Sequence, residues 1–210
     1  MRRVLLTVSF CLLALNVSSA QQLPILNGTA ISLPHPSYSN EFKELCAYGK
    51  VSIEVVIGLN GSVEEASAID GDPILYDAAV AAARKAKFKF NIDSSPIRHR
   101  GLVIYNFPIE KKCIDGGVVN KRAINIPAPD LRKIEHISKN PTVVEVRIVV
   151  DMITGKVKLA RAISGYVMYF AICEESASKA KFSPSLIDGL PVDVKATLIY
   201  KFNPNGSIEY

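Results

Sequence analysis

Several features that would point to an enzyme are missing from this sequence. The chain of 210 residues has no tryptophan, only three histidines and only four cysteines. It contains no Gly-x-Ser-x-Gly nucleophile motif, no His-Glu-x-x-His pair and no glycine-rich phosphate loop. None of the histidines has a second His, Cys or carboxylate at metal-ligand spacing, which argues against a local zinc motif. We therefore expect no catalytic residues, no metal and no cofactor.

The charge balance is also too mild to indicate a nucleic-acid partner. The formal net charge is +5, and the basic residues are scattered along the chain instead of forming a stripe. With 49% apolar and 21% charged residues, the composition is typical of a globular protein. Nucleic-acid binding and charge-rich disorder are thereby disfavoured.

A hydrophobic run of the ~20 residues that a membrane-spanning helix needs is absent as well. The longest apolar stretch, residues 4–15, follows Arg2 and Arg3 and precedes the small residues of 17–20. This pattern predicts a cleavable signal peptide over residues 1–20, hence a periplasmic or secreted protein with no transmembrane anchor after cleavage. The competing interpretation is a segment retained as an anchor, which the short apolar run disfavours.

The remaining residues, 21–210, contain an internal repeat. Asn27-x-x-Ala-Ile-x-x-Pro-x-Pro returns at Asn120, and the alternating pattern of 51–57 returns at 144–150. The run Lys-Ala-Lys-Phe occurs at 85–88 and again at 179–182, and the small changes in spacing fall where loops are expected. The sequence predicts two related units, residues 21–112 and 113–210.

Within the first unit, patterning predicts a helix, two strands, a second helix and a third strand. Residues 51–57 alternate with period two, a turn at Asn60-Gly61 follows, and 63–69 return as the second hairpin strand. Asp72-Pro73 starts a helix whose stripe is mostly alanine. A short helix over 39–46 precedes the hairpin, and residues 130–138 take its place in the second unit. We expect an α+β fold in which each unit is a three-stranded antiparallel sheet with two helices on one face.

These residues resemble the C-terminal domain of the TonB energy-transducer family. The resemblance rests on the lead motif of Asn27, on Gly49-x-Val-x-Ile-x-Val-x-Ile with Asn60-Gly-x-Val, and on Gly71-Asp-Pro-x-Leu-x-x-Ala-Ala. The Lys-Ala-Lys-Phe run and the final Tyr-x-Phe of each copy complete it. The pattern recurs in the second unit, which makes the expected fold two tandem TonB C-terminal-like domains.

The resemblance implies a protein-binding function. In that family the domain holds the "TonB box" peptide of outer-membrane transporters by adding it as a strand to the edge of the sheet, which needs little particular side-chain chemistry. The third strands, 101–107 and 195–202, would then be the docking edges. The alternative is that the two copies pair or that loops cover the edges. The implied partner-binding residues are Leu102, Ile104, Tyr105, Phe107, Leu198, Ile199, Tyr200 and Phe202.

The sequence departs from the family in three places. A cleavable signal stands where a transducer has its membrane anchor, the long proline-rich linker is missing, and the Asp-Pro helix start of the second unit is replaced by Tyr166-Val167. Tyr166 and Phe170 are therefore candidates for an exposed aromatic surface, with packing between the two units as the alternative. Tyr169, Ile172, Cys173 and Ser176 align with the alanine stripe and are expected in the core.

Three cysteines remain after removal of the signal. Cys173 falls on the predicted buried helix face. Since the family fold makes the first and third strands antiparallel neighbours, it implies a disulfide between Cys46 and Cys113 that closes the first unit and stabilises it by ~3–4 kcal/mol. The alternative is two unpaired thiols.

Three functions are compatible with these observations. The first is a non-catalytic periplasmic module that binds a protein or peptide partner, such as a segment of an outer-membrane transporter, by β-augmentation and is accessory to TonB-dependent transport. The second is a scaffolding envelope protein whose sheet edges pair with each other or with a second chain, giving a homo-oligomer. A secreted enzyme is the third, and no sequence motif supports it.

Overall fold

The structure is a computed structural model that describes residues 23–89, 99–111, 113–184 and 192–210. The predicted signal peptide at 1–20 lies outside the described residues. Within the described part, every helix is too short or too polar to cross a membrane.

The first unit is built on three antiparallel strands. β2 (Gly49–Ile57) is central, with β3 (Val63–Asp70) on one side and β5 (His99–Phe107) on the other, which confirms the expected three-stranded sheet. The short strands β1 and β4 pair with each other beside it. The elements are β1 (Ala30–Ser32), α1 (Asn40–Glu44), β2 (Gly49–Ile57), β3 (Val63–Asp70), α2 (Tyr76–Ala83), β4 (Lys87–Phe88) and β5 (His99–Phe107).

Local sequence explains why the second helix of this unit begins and packs as it does. The Asp72 side chain accepts a hydrogen bond from the Ile74 amide at 3.1 Å, and Pro73 occupies the first position of the 3-10 turn that leads into α2. The small side chains of the helix let it lie close on the sheet. The predicted stripe is buried at all its positions: Leu75, Ala78, Ala79, Ala82 and Ala86.

The second unit repeats this strand order inside a larger sheet. β8 lies between β9 and β11, as β2 lies between β3 and β5. Four more strands extend the sheet to seven, so the expected three-stranded sheet is too small for this unit. The elements are β6 (Ile114–Val118), β7 (Ala123–Asn125), β8 (Thr142–Asp151), β9 (Lys156–Gly165), α3 (Phe170–Ser178), β10 (Lys181–Phe182), β11 (Asp193–Phe202) and β12 (Ile208–Glu209).

The helix predicted over residues 130–138 is wrong. Asp130 caps only a single 3-10 turn, Leu131–Lys133, and Ile134 is already extended at φ −111° and ψ 130°. The Ser138 amide donates to the Tyr169 hydroxyl at 2.8 Å, so a tertiary hydrogen bond holds the end of this segment. The second unit therefore has one helix on its sheet instead of two.

The outer face of the second sheet packs against the first unit. Val149 of β8 is fully buried and clusters with Cys46 and Cys113. Beside it, the Arg147 guanidinium donates to both carboxylate oxygens of Asp72 at 2.6 and 2.5 Å, with only 13% and 8% of the two side chains exposed. The two units are therefore joined by an apolar cluster and a nearly buried ion pair.

A lysine between the units adds a second charged contact. The Lys111 ammonium lies 2.5 Å from a Glu44 oxygen in the first unit and 2.9 Å from an Asp193 oxygen in the second. Burial works against the charged form of Lys111, but these two carboxylates raise its pKa overall. Burial likewise works against the charged form of Asp193, yet Lys158 and Lys111 hold its pKa below the ordinary value. At the contact between the two units, Lys111 thus pairs with one carboxylate from each unit.

Candidate partner-binding edges

β5 is the outer strand of the first sheet, and its residues divide between core and edge. Val103, Tyr105 and Phe107 are buried in the first core. Leu102 and Ile104 lie on the opposite face, half-buried, and their backbone groups point away from β2. Of the β5 residues that the resemblance implied for partner binding, two therefore offer backbone groups at the edge and two serve the core.

Residues 24–27, the first strap, lie along this edge and pair with it in parallel. The Leu26 amide donates to the Leu102 carbonyl at 2.8 Å. The Leu102 amide donates to the carbonyl of Pro24, also at 2.8 Å. The Asn27 side chain donates to the Ile104 carbonyl at 2.7 Å and accepts from the Ile104 amide at 2.8 Å. A strand edge that the sequence singled out for a partner is thus covered by the chain itself.

Residues 117–120, the second strap, make the same contacts with β11. The Val119 amide donates to the Thr197 carbonyl at 3.0 Å. The Asn120 side chain donates to the Ile199 carbonyl at 2.7 Å and accepts from the Ile199 amide at 2.9 Å. The two units therefore use one geometry, in which an asparagine amide continues the ladder where the backbone turns away.

The β11 edge is closed further by two strands. β6, whose last two residues belong to the second strap, pairs with it in parallel from Val194 to Thr197, and β12 pairs with Lys201 and Phe202. The side chains of the remaining predicted residues, Leu198, Tyr200 and Phe202, are buried in the second core. In contrast, β5 has no further strand on this side in the described part of the chain.

The straps were missed by sequence reasoning, although a signal for them was present. Asn27 and Asn120 occupy the same place in the repeated lead motif, and Ile104 and Ile199 occupy the same place in the third strands. Their contacts span 77 and 79 residues. The paired recurrence of Asn and Ile was visible, but neither local pattern nor spacing indicates that the two touch.

A glycine in β5 makes room for the first strap. A methyl group added at Gly101 would collide with the Leu26 side chain and lie 2.9 Å from the Pro24 carbonyl oxygen. In β11 the equivalent residue is Ala196, and the equivalent strap residue is the smaller Val119, which belongs to the same core as Ala196. The first edge is therefore shaped for a side chain of leucine size.

The two cores differ in the hydrogen bonding of an equivalent tyrosine hydroxyl. The Tyr200 hydroxyl lies 3.1 Å from the Ser176 hydroxyl, whereas the Tyr105 hydroxyl is buried with no hydrogen-bond partner. Ala82 stands in α2 where Ser176 stands in α3. Burial raises the pKa of Tyr105 to about 12 and also raises the pKa of Tyr200.

Replacing these tyrosines with phenylalanine is expected to have opposite effects. Tyr105→Phe removes an unpaired buried hydroxyl and should leave the free energy of unfolding unchanged or raise it by up to about 1 kcal/mol. Tyr200→Phe removes a hydrogen bond and should lower it by about 1 kcal/mol. Urea unfolding of the two variants checks this, and equal losses in both would contradict the contrast.

The aromatic residues at the start of the second helix lie in different surroundings. Tyr166 is 49% exposed, with its ring 5.9 Å from that of Tyr169. Phe170 is half-buried and packs against the second core. The contact between the units involves Arg147 and Val149 instead. The residues expected in the core, Tyr169, Ile172, Cys173 and Ser176, are all buried.

The disulfide implied between Cys46 and Cys113 is confirmed, with a Cα–Cα distance of 6.1 Å. It does more than close the first unit, because Cys113 leads directly into β6 of the second sheet. Cys173 is a free, buried thiol whose pKa burial raises to about 12. Across the ranges that the structure describes, no group of three His, Cys, Asp or Glu residues could hold a metal ion.

Comparison with known proteins finds a family model that matches part of the chain. Residues 34–109, which run from before α1 to the end of β5, match the family model described as Gram-negative bacterial TonB protein C-terminal. No curated protein and no solved structure matches the chain. The resemblance seen in the sequence is thus confirmed for residues 34–109, which are similar to the C-terminal domain of the TonB family.

Proposed function

We propose that the chain is a non-catalytic periplasmic module that binds a protein partner by adding a partner strand to β5. The observation that carries this is the difference between the two edges. β11 is paired from Val194 to Phe202 by β6, the second strap and β12. In the part of the chain that the structure describes, β5 is covered by the first strap, at Leu102 and Ile104.

The family supports the mode of binding. Strand addition takes its affinity from backbone hydrogen bonds, so a partner needs only an extended segment that reaches the edge. Residues 34–109 match the family described as Gram-negative bacterial TonB protein C-terminal, which supports a periplasmic site and a partner such as an outer-membrane transporter segment. The module would then be accessory to TonB-dependent transport.

The second unit has a supporting role in this proposal. We infer that it is a divergent tandem copy of the first, since it repeats the order of strands and the strap. Its closed edge leaves no equivalent site, and its outer sheet face is occupied by the first unit. It therefore holds the first unit in place and leaves recognition to β5.

A matched pair of proline variants tests the proposal. The amides of Ile104 and Ile199 both point outward to a strap asparagine, so Ile104→Pro and Ile199→Pro remove the same type of donor without breaking the ladder inside the sheet. Capture of envelope proteins by immobilised chain should be lost in Ile104→Pro and kept in Ile199→Pro. Circular dichroism checks that both variants are folded.

The scaffolding alternative uses the same edge and is separated by light scattering. If β5 pairs with a second copy, the chain forms a dimer that Ile104→Pro converts to monomer, and no envelope protein is captured. A monomer that captures a partner through β5 favours the binding module.

A further inference from the structure

We propose that the β5 edge recognises extended peptides in which an aliphatic residue is directly followed by asparagine, bound parallel to β5 in place of the first strap. This rests on the proposed function, because it specifies the partner of the same edge. The two straps are two examples of a segment bound to such an edge, and they share Leu26-Asn27 and Val119-Asn120. Their contacts therefore indicate which features a partner needs.

The asparagine position is set by hydrogen-bond chemistry. The chain turns away after Asn27 into the 3-10 turn Asn27–Thr29, so the backbone can no longer pair with Ile104. The Asn27 side chain supplies both a donor and an acceptor to the Ile104 peptide group, at 2.7 and 2.8 Å. Aspartate offers no donor and glutamine is longer by one methylene, so asparagine is the side chain that replaces a backbone peptide here.

The aliphatic position is set by packing. Leu26 lies on Gly101 and packs against the first core, and Val119 in the second strap is 6% exposed. The residue before it points outward, since Ile25 and Val118 are 61% and 59% exposed. The backbone hydrogen bonds to the edge come from the residues on either side of it, so this position leaves the choice of side chain open.

Exchange of a strap for a partner is favoured at β5 over β11. The second strap continues from β6, and β6 follows directly from the disulfide-bonded Cys113. The first strap forms an isolated bridge at Ile25 and the four hydrogen bonds to Leu102 and Ile104. A partner has to replace these hydrogen bonds and the packing of Leu26, and the first strap acts as an intramolecular competitor.

Peptide binding tests the inference with matched variants. A labelled synthetic peptide with the sequence of residues 23–32 is titrated by fluorescence anisotropy into the intact chain and into Asn27→Ala, which loses both strap bonds to Ile104. Because the competitor is weakened, Asn27→Ala should bind the peptide about tenfold tighter than the intact chain. A peptide carrying aspartate for asparagine should bind about tenfold weaker.

Two further variants locate the site. Adding Ile104→Pro to Asn27→Ala should abolish peptide binding, and adding Ile199→Pro should leave it unchanged. On the intact chain, a spin label at the amino end of the peptide should broaden the amide resonance of Arg100 more than that of Asn106, which reports the parallel direction.

The inference is overturned if the asparagine and aspartate peptides bind equally, or if binding survives Ile104→Pro. Its failure is separable from that of the proposed function. If envelope capture depends on Ile104 while the strap peptide does not bind there, strand addition stands and the recognition of aliphatic-Asn segments is wrong.

Discussion

Replacing Asp72 with alanine is expected to lower the free energy of unfolding by about 3–5 kcal/mol. Asp72 has two tasks, because its Oδ1 atom caps the turn into α2 and both of its carboxylate oxygens bind Arg147 of the second unit. Its loss leaves the Arg147 guanidinium nearly buried without a counter-charge. Breaking one side of a buried ion pair costs far more than losing an exposed one.

A control and a double variant separate the two tasks. Glu110→Ala removes an acid from a half-exposed pair with Lys43 and should change the free energy of unfolding by less than about 1 kcal/mol. Arg147→Ala combined with Asp72→Ala should be less destabilised than the sum of the single variants, since no unpaired charge is left. Strict additivity in urea unfolding would contradict a direct coupling between the units.

Removing the disulfide is expected to lower the free energy of unfolding by about 4 kcal/mol, since it closes a loop of 67 residues. Alanine suits both positions, because Cys46 and Cys113 are 1% and 6% exposed and a buried serine hydroxyl would need a partner. The measurement is urea unfolding of Cys46→Ala/Cys113→Ala against the oxidised chain.

Reductant provides the matched control. It should destabilise the unmodified chain to a similar extent and have no effect on the double variant, because Cys173 is free and buried. A disulfide that matters only for the first unit would leave β6 and the second strap unaffected. Here we expect hydrogen–deuterium exchange of the Val119 and Ile199 amides to become faster once the disulfide is reduced, since Cys113 anchors the start of β6.

The strands and the α2 helix were predictable because their signals are local. Alternation at 51–57 and 144–150 specifies a strand with one buried face, and Asp72-Pro73 specifies a helix start. The failure at 130–138 has a physical reason. Ile134 and Ile137 follow helical spacing, but β-branched residues also suit an extended chain, and tertiary bonds at Ser138 decide between the two.

The candidate site was predictable only in part. The resemblance pointed to the third strands, and β5 does carry outward backbone groups at Leu102 and Ile104. Nothing local showed that Asn27 reaches across 77 residues to cover that edge. Nor could patterning show that Arg147, on the polar face of a strand, meets the helix cap of the other unit.

The loss of the Asp-Pro start in the second unit agrees with the observed contacts. Asp72 is needed both as a cap and as the partner of Arg147. At the equivalent place, Tyr166 has no side-chain cap hydrogen bond and is 49% exposed. The second unit therefore keeps the turn and the helix without the contact that joins the units.

The most direct test of the central claim is the ratio of envelope protein captured by Ile199→Pro to that captured by Ile104→Pro. Both variants lose one outward amide that bonds a strap asparagine, so they differ only in which edge is disrupted. Strand addition on β5 predicts a ratio of about ten or more. A ratio of one, with both variants folded, would contradict it.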